Sequence, residues 1–281
     1  MDWSQVFNFT DYEKLLPLVT NSLLAGALLA LIGGLVGVFV MTRELSFAVH
    51  GIAELSFAGA AIFLLIGLDV VLGSVFGSII AAAIIAFLGE RAKDRNSIVA
   101  VLMPFGLGLG ILALSLYPGR AANKFGLLTG QIVAVDDPKL ASMAVITAIV
   151  LVAMLLIWRP LSFSSLDPEV ASARGVPTKA LGVVFVLLLG LSVAAAVQIV
   201  GALLVLALLV TPAAAALRLS SSQLWVPILS VLFALIAMIG GTLLALGGTL
   251  PISPYVTTIS FLIYLIARLV AFAKSRLEVR S

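Results

Sequence analysis

Apolar residues in this chain come in runs of about twenty, each ended by a short polar or glycine- and proline-rich break. A helix rises 1.5 Å per residue, so a run of about 20 residues crosses the hydrocarbon core of a bilayer. The first run, Pro17 to Met41, stops at Thr42-Arg43-Glu44 and carries Gly33, Gly34 and Gly37, which allow close helix contact. The second, Leu45 to Ile66, is less apolar and holds His50 and Glu54. The third, Val70 to Leu88, ends in the charged stretch from Glu90 to Arg95. The fourth, Ile98 to Tyr117, contains Pro104. A piece from Phe125 to Val135, closed by Asp136-Asp137-Pro138, is too short to cross as a regular helix. The fifth span, Leu140 to Trp158, is stopped by Arg159-Pro160. Apolar sequence then runs from Leu181 to Leu217, with Gln198 in its middle. These ~37 residues suffice for two tightly turned spans, the second expected to kink at Thr211-Pro212. A span from Trp225 to Leu246 follows, then a break from Gly247 to Pro254, then a last span from Tyr255 to Phe272. The pattern predicts an all-α bundle of about nine transmembrane helices, one integral membrane domain over residues 1–281.

Two segments fall outside the spans. Residues 1–14 mix acids with Trp3, Phe7, Phe9 and Tyr12, which suits an interfacial helix on the membrane surface. Their acidic start lacks the basic opening of a secretory signal, so no cleaved peptide is expected. The second segment, Asp167 to Gly182, is too polar to cross lipid. Asp167 suits an N-cap, Pro168 the first helical position and Glu169 the first turn. Ala173 and Arg174 fall at the end, and Gly175 can take the left-handed closing conformation. The segment reads as a short capped helix of about two turns. It is either a plain connection or a docking helix for another subunit.

Composition agrees with the pattern. Hydrophobic residues make up 62% and charged residues 10% of the 281, against about 25% charged in a soluble domain. A net charge of +3 does not point to nucleic acid, and the absence of cysteine excludes disulfides and thiolate chemistry. The basic residues orient the chain. With nine spans and the N-terminus outside, the inner ends hold Arg43, Arg91, Lys93, Arg95, Arg159, Arg174, Lys179, Arg218, Arg268, Lys274, Arg276 and Arg280. Only Lys14, Arg120, Lys124 and Lys139 fall outside. This bias predicts an outer N-terminus, a cytoplasmic C-terminus and a cytoplasmic 167–182 segment.

Recognisable catalytic motifs are missing. No phosphate-binding loop and no Ser-His-Asp or metalloprotease spacing occurs. The single histidine, His50, and Glu54 stand four residues apart, on one helical face. Imidazole with carboxylate suits a divalent transition metal, and ionisable groups inside a membrane mark functional positions. The alternative is a hydrogen-bonded pair within the bundle.

Four blocks resemble the membrane permease of metal-ion (zinc, manganese or iron) ABC importers. Arg43 to Gly59 is similar to the family's Arg-x-x-x-Phe-x-Gly-Asp-x-x-x-His-Ser-x-x-x-Gly block. Asp167 to Leu181 resembles its ATPase-docking segment, and Gly247 to Pro254 its late loop. The most specific match is Gln198 to Leu219, against Val-Gly-x-Leu-Leu-x-x-Ala-Leu-Leu-x-x-Pro-Ala. The family's Asp-x-x-x-His pair, which lines the metal path, falls here on His50 and Glu54, with the order of acid and imidazole reversed.

The resemblance implies a non-enzymatic transport subunit of the cell membrane that takes up zinc, manganese or iron. It implies a homodimer or a pair with a second permease, an extracytoplasmic metal-binding protein, and a separate ATPase that alone handles ATP. Metal would pass His50 and Glu54. Coupling would pass through Asp167, Glu169, Ala173, Arg174 and Gly175. Two other readings remain open: a permease for metal chelates of the siderophore or cobalamin type, and an ion-coupled carrier without an ATPase.

Overall fold

The computed structural model describes residues 12–89, 92–119, 135–246 and 251–278. Most of the interfacial segment, the apolar piece before Val135 and the first half of the 247–254 break lie outside the described residues. Helices dominate, and no strand occurs among the described residues. After a single turn at Tyr12–Leu15 and a 3-10 turn at Leu16–Val19 come α1 (Thr20–Thr42), α2 (Ser46–Leu65), α3 (Val70–Leu88) and α4 (Ala92–Leu116). Then follow α5 (Asp137–Leu166), α6 (Pro168–Ala173), α7 (Thr178–Val200), α8 (Val205–Leu209), α9 (Thr211–Leu219), α10 (Trp225–Ala245) and α11 (Ile252–Glu278). Eight helical stretches are long and apolar enough to cross a membrane. Val205–Leu219 is a shorter apolar stretch. The helices leave Phe105, Leu155, Leu156, Phe261 and Leu269 exposed. That apolar surface suits lipid rather than water.

Three sequence boundaries shift, for identifiable reasons. The fifth span does not stop at Arg159-Pro160: α5 runs through Pro160 to Leu166. Proline removes one helical hydrogen bond and crowds one carbonyl. The turn beyond it is held by packing, since Leu161 and Ser164 are buried. The Leu181–Leu217 run does not form two regular spans. α7 takes its first part and ends at Gly201, whose φ of 79° is left-handed. A 3-10 turn and two short helices follow. Pro212 does not kink a span. It sits in the first turn of α9, where no N–H is missed.

The chain divides into two compact units. The first comprises Met1–Met41, Ile132–Leu140 and Leu206–Ser281. Within it, Ser230 Oγ donates to the Gly34 carbonyl at 2.7 Å. A β-carbon on Gly34 would fall 2.6 Å from Val231 Cα, so α1 and α10 touch backbone to backbone. Val38, Ala213, Ala216 and Val226 form a buried core between α1, α9 and α10. Asn21 Nδ2 donates to Asp137 Oδ1 at 2.8 Å.

The second unit, Thr42–Gln131 and Ala141–Val205, is built around α2. This helix packs on α3, α4 and α7. Two Gly-x-x-x-Gly pairs, Gly73/Gly77 on α3 and Gly106/Gly110 on α4, make the approach possible. A β-carbon at Gly77 would lie 2.1 Å from the Leu55 carbonyl oxygen, and one at Gly110 2.3 Å from the Phe57 ring. Polar links add direction. Ser56 Oγ donates to the Ser74 carbonyl at 3.0 Å, and the two hydroxyl oxygens stand 2.7 Å apart. Ser74 Oγ reaches the Ala194 carbonyl on α7 at 3.3 Å. In an apolar interior such bonds have no competing water.

Candidate functional site

His50 and Glu54 lie on α2, one turn apart, just before the glycine contacts at Leu55 and Phe57. His50 Nε2 stands 3.9 Å from Glu54 Oε1. That is beyond hydrogen-bond range, so the pair is adjacent but not bonded. Glu54 is 4% exposed, whereas the His50 side chain keeps 24% of its surface open. His50 Nδ1 and Glu54 Oε2 are both buried without a hydrogen-bond partner. Buried polar atoms are nearly always satisfied, and exceptions ask for a reason such as an ion. A transition metal prefers this mix of imidazole nitrogen and carboxylate oxygen. No group of three or more His, Cys, Asp or Glu side chains gathers among the described residues. Two ligands from one chain hold a metal incompletely, which suits an ion in passage.

The α4 backbone sets the depth of this pair. Gly106 faces the turn that carries Glu54: a β-carbon there would sit 2.9 Å from the Glu54 carbonyl carbon and 3.0 Å from Leu55 N. Only glycine lets α4 approach so closely. Sequence reasoning did not single out Gly106, the Ser56–Ser74 link or Gly77. The Gly-x-x-x-Gly spacings were the signal that could have found the glycines.

The 167–182 segment folds as its caps predict. Asp167 Oδ1 accepts from Val170 N at 3.0 Å, Pro168 opens α6 and Glu169 lies in its first turn. At the far end Gly175 has φ 81°. Its N–H donates to Ser172 O at 2.9 Å, and Val176 N–H donates to Ala171 O at 3.0 Å. These paired bonds are the Schellman closure, which a left-handed glycine makes possible. Ala171 is buried, whereas Asp167, Glu169, Ala173, Arg174 and Gly175 are exposed. The five sequence-predicted coupling residues therefore lie on one short helix or at its two ends, and all five are exposed.

A second polar cluster surrounds Arg43. Arg43 Nη1 donates to Ser164 Oγ at 3.1 Å and Ser165 Oγ at 3.0 Å. Arg95 Nη2 donates to the Arg43 and Glu44 carbonyls, both at 3.3 Å. Glu44 itself holds a left-handed φ of 55°. Burial, and then the neighbouring Arg95 charge, pull the Arg43 guanidinium below its ordinary range.

Eight membrane-length helices, an imidazole–carboxylate pair on one of them and an exposed capped helix between two others are the features against which known proteins are compared. The chain belongs to the ABC 3 transport family, whose model matches residues 16–271. It is 30% identical over 222 residues to the manganese transport system membrane protein MntC of Halalkalibacterium halodurans, covering 79% of this chain and 76% of the relative. It is 24% identical to the high-affinity zinc uptake system membrane protein ZnuB of Haemophilus influenzae, covering 83% and 88%. Its fold matches PsaBC from Streptococcus pneumoniae in complex with Fab, with a TM-score of 0.85 at 23% identity, over 96% of this chain and 100% of the other. The chain is thus a multi-pass membrane protein and a transport subunit.

Proposed function

We propose that the chain is the permease of an ABC importer for a divalent transition metal ion. An extracytoplasmic binding protein delivers the ion, and a separate ATPase bound at α6 supplies the drive. The observation that carries this reading is the pair His50 and Glu54. One imidazole and one carboxylate lie 3.9 Å apart on a helix long and apolar enough to cross a membrane, each with a buried atom lacking a partner. Relatives named for manganese and zinc transport support the metal class. Two copies of the chain related by a two-fold axis would bring up to four ligands to one path. His50 and Glu54 would take the ion from water briefly and release it inward. Binding in transit must stay weak, which two ligands per chain favour. The bias of basic residues puts α6 on the cytoplasmic side, within reach of the ATPase.

The test is uptake by a transport-deficient cell expressing the permease with its ATPase and binding protein. Manganese, zinc and iron are supplied in turn. Saturable accumulation of one of them, dependent on all three components, is the expected result. Accumulation without the ATPase would instead establish an ion-coupled carrier.

A further inference from the structure

The guanidinium of Arg43 reaches into the fork between α5 and α7, the two helices that α6 connects. Its Nη1 donates to Ser164 Oγ at 3.1 Å and Ser165 Oγ at 3.0 Å, in the last turn of α5. Its Nη2 lies 3.6 Å from where a β-carbon would stand on Gly182, in the second turn of α7. Arg43 belongs to neither helix. It stands just before Ser46, the first residue of α2, the helix of His50 and Glu54. α2 packs chiefly on α3, α4 and α7. The Arg43 side chain adds a link from the start of α2 to the end of α5.

Both ends of this link are stiff. The two serine hydroxyls donate to the Leu161 carbonyl, at 3.0 and 2.7 Å. With their protons directed there, their oxygens accept from Arg43. Ser164 is buried, where a charge-assisted hydrogen bond is strong. Only Leu166 separates Ser165 from Asp167, which donates its N–H to the Phe163 carbonyl at 3.2 Å and caps α6 with its carboxylate. At the other end, Arg95 Nη2 donates to the Arg43 and Glu44 carbonyls, both at 3.3 Å. The Glu44 carboxylate attracts the same guanidinium. Glu44 keeps a left-handed φ of 55°, which a non-glycine residue holds only where its surroundings impose it. A turn fixed in this way passes a displacement of the Arg43 side chain on to the helix it starts. His50 follows Ser46 after about 6 Å of helix rise.

The side-chain type fits the task. A guanidinium is planar, permanently charged and carries its N–H donors in a fixed fork. It can span two hydroxyls with one nitrogen and face another helix with the other, whereas a lysine ammonium offers one flexible point. We propose that Arg43 is a positioning residue that couples α6 to α2, passing displacement of the α5–α6 junction to the helix that carries His50 and Glu54. The proposal rests on the reading of α6 as the docking site of an ATPase. Movement of α6 would pull Ser164 and Ser165, and through Arg43 shift the metal-path pair. The rival route runs through α7, which follows α6 in the chain and packs on α2. That route needs no Arg43.

The experiment uses the whole importer, permease with ATPase and binding protein, in proteoliposomes, with manganese as the probe. Manganese taken up per ATP hydrolysed is measured at equal amounts of inserted permease. Arg43→Gln is expected to keep ATPase co-purification and ATP hydrolysis but to lower that ratio about tenfold, within the span of couplings between two sites. Ser164→Ala combined with Ser165→Ala should do the same. This double variant keeps the arginine and removes only two hydroxyls, so it reports even where Arg43→Gln fails to insert. Arg43→Lys, which keeps the charge and can hold one hydroxyl, should fall between. Arg218→Gln, an exposed charge in the other unit, should match the wild type. An unchanged ratio in the double serine variant overturns the link and leaves coupling to α7. A parallel loss of uptake and hydrolysis overturns it too, since it marks a structural role. Wild-type uptake without the ATPase refutes the docking reading itself, and is read before any variant is compared.

Discussion

His50 Nε2 and Glu54 Oε1 stand 3.9 Å apart on successive turns of α2, too far to satisfy each other and close enough to share an ion. If this pair lines a metal path, Glu54→Gln removes the carboxylate charge at nearly constant volume, and His50→Ala removes the imidazole. Both are expected to abolish metal uptake per inserted molecule while permease level and binding-protein docking stay intact. A purely structural pair predicts the reverse: less folded protein, with uptake per molecule unchanged. Uptake normalised to the amount of inserted permease separates these outcomes, and normal uptake in both variants removes the pair from the path.

Gly106 and Gly108 make a matched test of the packing that holds Glu54. Both are on α4, but only a β-carbon at Gly106 meets the α2 backbone. At Gly108 nothing lies within 4 Å. Gly106→Val should force the helices apart and cost about 1–3 kcal/mol or more. Gly108→Ala should change stability by no more than about 1 kcal/mol. Thermal unfolding of the purified protein checks both, and equal behaviour of the two variants would refute the contact.

Gly175 closes α6 in a left-handed conformation, with empty space where a side chain would point. Gly175→Val therefore introduces backbone strain of about 1–3 kcal/mol without a clash. The docking reading expects lost ATPase co-purification, or lost transport-coupled ATP hydrolysis, in a permease that still inserts. Gly175→Asn, which tolerates the same φ, should retain coupling. Full coupling in the valine variant would sink the proposal for α6.

Topology is open to direct measurement. Because Arg159 lies inside α5, reporter fusions belong after Arg95 and Arg174, which two membrane-length helices separate. Both should report cytoplasm, following the bias of basic residues. An external signal after Arg174 would reverse the assignment of α6.

Much of this protein was legible from local chemistry alone. Continuous apolar runs of span length become helices because the backbone must satisfy its own hydrogen bonds in lipid. The boundaries of α3 and α10 fall within a residue of the predicted ones for that reason. The caps of α6 were equally readable, since Asp167 and Gly175 act through bonds to neighbours three to five residues away. The adjacency of His50 and Glu54 followed from helical spacing.

Tertiary structure decided the rest, because packing overrides local preference. Proline ends a helix only if the next turn gains nothing by continuing, and at Pro160 the buried Leu161 and the serines holding Arg43 carry α5 onward. The Leu181–Leu217 run is apolar enough for two spans, yet its second half breaks into short helices after Gly201. Hydropathy measures solvent, and says nothing of backbone turns. The meeting of Arg43 with Ser164 and Ser165 joins residues 121 and 122 positions apart in the chain. Helical spacing relates only near neighbours, so it took the folded chain to bring the start of α2 to the end of α5.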